Sequence, residues 1–381
     1  MSNTQAVSED PVLFVERRGG NGRVVAFVQL NAPRALNSLS RTMIDRITLQ
    51  LEEWRERDDV VCVVLHGSGE KAFCAGGDIM GLYRAMRAAE GEPSAEAEGF
   101  FAAEYRLDYT IHSYPKPIVC WGTGAVMGGG LGIMVGAGHR VVTETTIIAM
   151  PEVGIGLFPD VAAGWFLNRM PSRVGLFLAL TGSQLNATDA WLVGLADAHV
   201  GSDRREAVFE ALVEQDWHGD SRRDSSLVAR TLRRFEPAAT ERPESRVLAH
   251  RDAIARTTDQ ADVAGMQAAL QQVRDEDAWL QRAACTMAGA SPTSLTLAFE
   301  QWQTGGALSL ADTFRREYAI AVQCTRQPDF AEGIRALLVD KDKSPAWSPA
   351  TLDEVDDDHV ARHFELPADY EQHPLADLGR H

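Results

Sequence analysis

Between Pro117 and Gly138 the chain carries no charged residue, and eight of the residues in that stretch are glycine. An uncharged run of this length reaches across a bilayer when helical, so a membrane span is the first reading to test. Gly128, Gly129 and Gly130 sit together near its middle. Consecutive glycines weaken a continuous helix, because glycine gives up more backbone freedom on folding than any other residue. The stretch therefore reads as a buried strand over Ile118 to Trp121, a glycine turn, and a buried helix.

The residues before and after it extend that pattern. Val12 to Val15 and Val24 to Leu30 read as strands. Ser40 can cap a helix whose apolar positions Met43, Ile44, Ile47, Leu51 and Trp54 recur at helical intervals. Val60 to Leu65 is a β-branched run and reads as a buried strand. Phe73-Cys74-Ala75-Gly76-Gly77-Asp78 is a tight turn into another helix. Met86 to Gly99, rich in Ala, Glu, Gly and Pro, reads as a mobile loop, and helical spacing returns over Phe100 to Ser113. Arg140 to Thr143 is a further strand, and Leu185 to Leu195 a short helix and turn before strand His199-Val200. Strands alternating with helices imply an α/β fold with a parallel sheet. After about Asp203 long charged helical segments take over. The sequence thus predicts an α/β core over residues 12–205 and a mainly helical C-terminal region over 206–381.

Composition narrows the partners. Lys plus Arg is 37 and Asp plus Glu is 54, a net charge of −17. An acidic chain lacks the cations that neutralise nucleic-acid phosphates or dock on an anionic membrane, so neither partner is expected. A small anionic ligand needs only one local basic patch. Cys62, Cys74, Cys120, Cys285 and Cys324 are scattered, with no CxxC pair, so no metal site is expected. Small apolar neighbours around Cys62 and Cys120 read as buried free thiols, which fit a reducing, cytoplasmic compartment. The first eleven residues have neither a basic start nor an apolar run, so no signal peptide is expected.

Walker, GxGxxG and GxSxG patterns are missing, and His66, His112, His139 and His199 stand singly, without metal spacing, as structural or surface histidines. Two glycine turns carry more. Gly76-Gly77 follows the Val60 strand and the Gly128 triplet follows the Ile118 strand, each opening a helix. The first N–H groups of a helix have no internal partner and carry partial positive charge. Two such turns side by side can aim two N–H donors at one carbonyl oxygen, which is an oxyanion hole. The same glycines serve tight helix–strand packing equally well, so both readings stand. Glu152 and Asp160 lie in an otherwise apolar stretch. Apolar surroundings raise a carboxyl's proton affinity and suit it to acid, base or nucleophile work, although a solvated loop carboxylate or a helix cap fits too.

Four segments resemble the crotonase (enoyl-CoA hydratase/isomerase) superfamily: Leu30 to Asn37, Lys71 to Ile79, Met127 to Gly130 and Pro151 to Pro159. Three more, Met150 to Val161, Ser291 to Leu295 and Phe330 to Trp347, are similar to its 3-hydroxyisobutyryl-CoA hydrolase branch. The resemblance runs from about residue 12 to residue 365. It implies a ββα spiral core followed by helices. Gly77 and Gly129 would supply the oxyanion-hole N–H groups, Glu152 the shared catalytic glutamate, and Asp160 the aspartate of the hydrolase branch. Glu104 would contact substrate. Lys71, Arg34, Arg335, Lys341 and Lys343 flank family motifs and are candidates for the CoA phosphates.

Hydratases keep a second catalytic glutamate two residues after the glycine triplet. Here that position is Gly132, which cannot transfer a proton. The resemblance thus implies hydrolysis of a short 3-hydroxyacyl-CoA, most simply 3-hydroxyisobutyryl-CoA in valine breakdown. A hydratase/isomerase and a non-catalytic CoA-ester-binding protein are the alternatives. CoA would be part of the substrate, with no separate cofactor. A homo-oligomer, trimer or hexamer, is the assembly the superfamily implies.

Overall fold

Strands and helices follow one another in the order β1 (Val12–Arg18), β2 (Val24–Leu30), α1 (Arg41–Glu56), β3 (Val60–Gly67), β4 (Ala72–Cys74), α2 (Ile79–Ala88) and α3 (Ala95–His112). Then come β5 (Ile118–Gly122), β6 (Ala125–Met127), α4 (Gly129–Gly136), β7 (His139–Val142), β8 (Ile147–Ala149) and β9 (Ala198–His199). This computed structural model describes residues 10–238 and 242–380. The stretch read for a signal peptide lies outside the described residues except for its last two positions.

Local chemistry sets the element ends. The Ser40 hydroxyl accepts the Met43 N–H and starts α1, which buries Met43, Ile44, Ile47, Leu51 and Trp54. Asp78 caps α2 by accepting the Gly81 N–H at 2.9 Å. Ser94 caps α3, with Glu96 and Glu98 in the first turn beside the helix's positive end. That cap is why the segment expected to be a mobile loop over 86–99 is mostly helical: α2 runs to Ala88 and α3 starts at Ala95.

Successive strands from β3 onward go to different sheets. The larger sheet has the order β1-β2-β3-β5-β7-β9, and the smaller is β4-β6-β8. Among the strand pairs of the described residues β1–β2 is antiparallel and the others are parallel. Each pair of strands plus its helix makes one turn of a spiral. A parallel sheet needs cover on both faces. One face of the larger sheet packs into the main core. The other meets Val208, Phe209 and Leu212 of the helix Arg205–Val213 and Val228 and Leu232 of the helix Ser221–Arg233. Beyond β9 the described residues contain helices and no strand. Later helices close on the spiral: Phe330 meets Phe101, and Phe314 of the helix Leu310–Arg326 meets Tyr105 at 5.8 Å between ring centroids.

Cys62, Cys74, Cys120 and Cys324 are buried and free, and Cys285 is exposed. No helix among the described residues is long and apolar enough to cross a membrane. The uncharged stretch is instead β5, β6 and α4, folded into the interior.

The glycine triplet is a packing requirement as well as a turn. A Cβ added at Gly130 would stand 2.2 Å from the Cys74 carbonyl oxygen of β4. Gly130→Ala should destabilise the fold by about 2–3 kcal/mol, seen as a lower urea midpoint. Gly138→Ala, at an exposed position with nothing within 4 Å of the new atom, should leave the midpoint where it is.

Candidate active site

The parallel strands β4, β6 and β8 end side by side, and the residues that follow each of them line one cleft. Gly76 and Gly77 come from the end of β4, Gly128 and Gly129 from β6, and Pro151 and Glu152 from β8. Ligands in parallel-sheet proteins characteristically sit at the carboxyl ends of the strands. The cleft has an empty volume of about 490 Å³, and Phe100, Phe101, Leu82, Ile155 and Leu157 give it an apolar wall. Glu104 from α3 and Asp160 complete it.

The two glycine turns touch. The Gly77 nitrogen lies 3.4 Å from the ideal Cβ position of Gly129, and the Gly129 nitrogen 3.9 Å from that of Gly76. Gly76 has φ +111° and Gly128 φ +49°, conformations that glycine adopts without strain. Neither the Gly77 nor the Gly129 N–H donates to an acceptor among the described residues. Both nitrogens therefore lie unpartnered where the two turns meet at the cleft lining.

Glu152 opens a short 3₁₀ turn, Glu152–Ile155, and is 5% exposed. One of its carboxylate oxygens lies 2.9 Å from the ideal Cβ of Gly128; the other has no partner. Burial pushes its proton affinity well up, and the nearby Asp160 and Glu104 carboxyls add to the shift. Burial likewise pushes Asp160 up, to about 7, against the pull of the Tyr105 hydroxyl, which donates to it at 2.6 Å. Glu104 is raised by burial and by Asp160. Its Oε1 would be 2.1 Å from a Cβ at position 129, so only glycine leaves room for it there. The expected residues Gly77, Glu104, Gly129, Glu152 and Asp160 thus meet in one cleft.

Six further residues shape the site, none of them expected as a site residue from the sequence. Val161 and Ala162, directly after Asp160, have φ +52° and +71°, a left-handed pair that is strained for residues with a Cβ. Glu317 holds this turn by accepting the N–H groups of Ala162 at 2.7 Å and Gly164 at 2.9 Å. Gln301 donates to Glu317 and to the Pro159 carbonyl. Tyr105 fixes the Asp160 carboxylate. Asp108, one turn after Glu104, is fully buried with both oxygens unpartnered. The one-turn spacing of Glu104 and Asp108 on an apolar helix face is a signal visible in the sequence. Glu317 and Gln301 carry no local signal, because what they hold lies more than 140 residues away.

The expected cations fare differently from one another. Arg335 is held by Glu332 at 2.8 Å, Asp340 at 2.6 Å and Asp342 at 2.7 Å, which neutralises its charge locally. Lys71 precedes β4, at the end of that strand remote from the cleft. Arg34 is exposed on a loop whose Leu36 carbonyl accepts the Ala75 N–H beside the cleft. Lys341 and Lys343 are exposed and follow the helix Pro328–Ile334, whose Gly333 packs on Ile155 of the cleft wall.

A family model described as enoyl-CoA hydratase/isomerase matches residues 25–364. The 3-hydroxyisobutyryl-CoA hydrolase, mitochondrial, of Danio rerio is 40% identical over 96% of this chain and 91% of its own length. That of Homo sapiens is 35% identical over 95% and 90%. A crystal structure of a carnitinyl-CoA dehydratase from Mycobacterium thermoresistibile superposes with a TM-score of 0.82 at 36% identity, covering 95% of this chain and 98% of that one. The architecture is the crotonase fold, a spiral α/β core with a helical C-terminal region. The chain belongs to the enoyl-CoA hydratase/isomerase family. One expectation is corrected: the hydrolase relatives are labelled mitochondrial, which overturns the cytoplasmic location. Buried free thiols fit any reducing compartment and do not tell one from another.

Asp160 gives a stability prediction. Its folded proton affinity is raised, so between about pH 4 and pH 7 the native state holds a proton that the unfolded state has lost. Stability attributable to this group falls as pH rises through that window and stays low above it. Asp160→Asn, which removes the titration, should melt above the wild type at pH 8, with the gap closing toward pH 4.

Proposed function

We propose that this protein hydrolyses the thioester of a short 3-hydroxyacyl-CoA, 3-hydroxyisobutyryl-CoA to 3-hydroxyisobutyrate and CoA, as a step of valine breakdown. The observation that carries the reading is Glu152 and Asp160, both buried, in the same cleft as two free backbone N–H groups. The hydrolase names of relatives aligned over nearly the whole chain support it.

The thioester oxygen would accept the N–H groups of Gly77 and Gly129 as it becomes negative in the transition state. Losing one such donor typically costs about 3 kcal/mol of barrier. Glu152 lies beside them, with one carboxylate oxygen 2.9 Å from the ideal Cβ of Gly128. Its burial makes the ionised carboxylate more basic than a solvated one, which suits attack on the carbonyl or removal of a proton from water. Asp160, titrating near neutrality, is matched to protonating the departing thiolate. Glu104 would accept a hydrogen bond from the 3-hydroxyl. Arg34, Lys341 and Lys343 are the cations best placed for CoA phosphates, whereas Arg335 is already balanced by its three carboxylates.

Hydration of a double bond would need a second carboxylate at position 132. A Cβ there would stand 2.6 Å from Val161 and 3.0 Å from Asp108, so the packing around Gly132 leaves no space for one. Glu152→Gln should abolish thiol release while acyl-CoA still binds, measured by thiol titration and by ligand-induced fluorescence change. Thiol release across a panel of acyl-CoAs should be confined to 3-hydroxy esters. Loss of enoyl absorbance without thiol release would place the protein with the hydratases.

A further inference from the structure

Behind the cleft floor, α3 and α4 lie against each other with an unusual complementarity. Glu104, Asp108 and His112 fall one turn apart on the face of α3 that meets α4, and Gly129, Gly132 and Gly136 stand opposite them. An added Cβ would lie 2.1 Å from Glu104 at position 129, 3.0 Å from Asp108 at position 132, and 3.1 Å from His112 at position 136. Each polar rung of one helix therefore rests on bare backbone of the other. The rungs are also unsatisfied: Glu104 Oε1, both Asp108 oxygens and His112 Nε2 are buried without a protein partner. Buried polar atoms in native proteins are almost always paired, with ordered water where protein offers nothing. Asp108 is wholly buried, Glu104 lines the cleft, and His112 is part-exposed at the end of α3, beside exposed Ser113.

We propose that Glu104, Asp108 and His112 form a proton path, completed by internal water, that links the cleft to solvent through the interior. This rests on the hydrolase reading, which creates a proton to be moved. Hydrolysis breaks the C–S bond and forms a C–O bond from water. One water proton goes to the thiolate sulfur; the other begins on the carboxylic acid and dissociates at neutral pH, so one net proton leaves the site per turnover. While CoA fills the mouth of the cleft, the floor is the other way out.

The rungs have the chemistry for it. Burial raises the proton affinities of Glu104 and Asp108, so each takes up and hands on a proton more readily than a solvated carboxylate would. Asp160 from the strained loop and Glu317 from the helix Leu310–Arg326 reinforce that shift at Asp108. Burial, with Arg140 nearby, lowers His112 to about 4 and keeps its ring neutral. A neutral imidazole accepts at one nitrogen and donates from the other, so it relays without retaining charge. Asp108 and His112 touch no substrate and act through Glu104.

Two variants test the path: Asp108→Asn, which keeps the shape, and His112→Phe, which keeps the edge-on packing against Trp165 and Phe314. Each should lower kcat at least about tenfold, short of the 10²–10⁴ seen for direct proton transfer, with KM unchanged. The D₂O effect on kcat should grow in each variant. Wild-type kcat in both folded variants overturns the path. So does a slowed variant with an unchanged D₂O effect, since that is a packing defect. If Asp108→Asn fails to fold, His112→Phe decides alone. Wild-type enzyme that releases no thiol from any 3-hydroxyacyl-CoA overturns the hydrolase reading itself, and the path loses its proton source.

Discussion

Close approach of backbone to carboxyl groups is the constraint on which this site depends. Glycine at the ends of β4 and β6 removes the side chains that would otherwise separate those strands from α3. Glu104 and Glu152 can then lie against the Gly129 and Gly128 backbones, out of water. Desolvation and mutual repulsion follow at once, and all the buried carboxyls of the cluster bind protons more tightly than they would in solvent. A site of this kind carries less negative charge than the same carboxyls would in solvent. That reconciles a strongly acidic protein with a polyanionic ligand.

The spiral alone does not finish the site. Asp160 sits just before two residues in left-handed backbone, a geometry that persists only where the surroundings enforce it. The enforcement comes from Glu317 and Gln301, which take up the N–H groups and the carbonyl that the strained turn leaves without regular partners. Glu317 is itself buried, so losing its partners would strand a desolvated carboxylate as well as loosen the loop.

Much of this was legible in the residues. Periodicity placed β2, α1, β3 and β5, because each buries an unbroken or regularly spaced apolar set. The glycine turns and the apolar stretch around Glu152 and Asp160 were visible because they break local rules without a local reason. Resemblance then decided between readings that spacing left open. The loop expected over 86–99 was misjudged because composition outweighed the Ser94 cap. The cations were the weakest part: Lys71 and Arg335 adjoin the motifs, yet one lies at the wrong end of its strand and the other is surrounded by acids. Glu317 was illegible for a different reason. A carboxylate in a long helix looks solvated until the fold shows which backbone groups it meets.

The span between Glu317 and the turn it holds also fixes when the site can come into being. The contact joins residues 155 positions apart, and domains assemble as the chain emerges from the ribosome. A nascent chain that has already closed its spiral still lacks the helix that sets Asp160. The candidate site is therefore assembled late in synthesis, and a chain that ends before Glu317 lacks the carboxylate that holds the turn after Asp160.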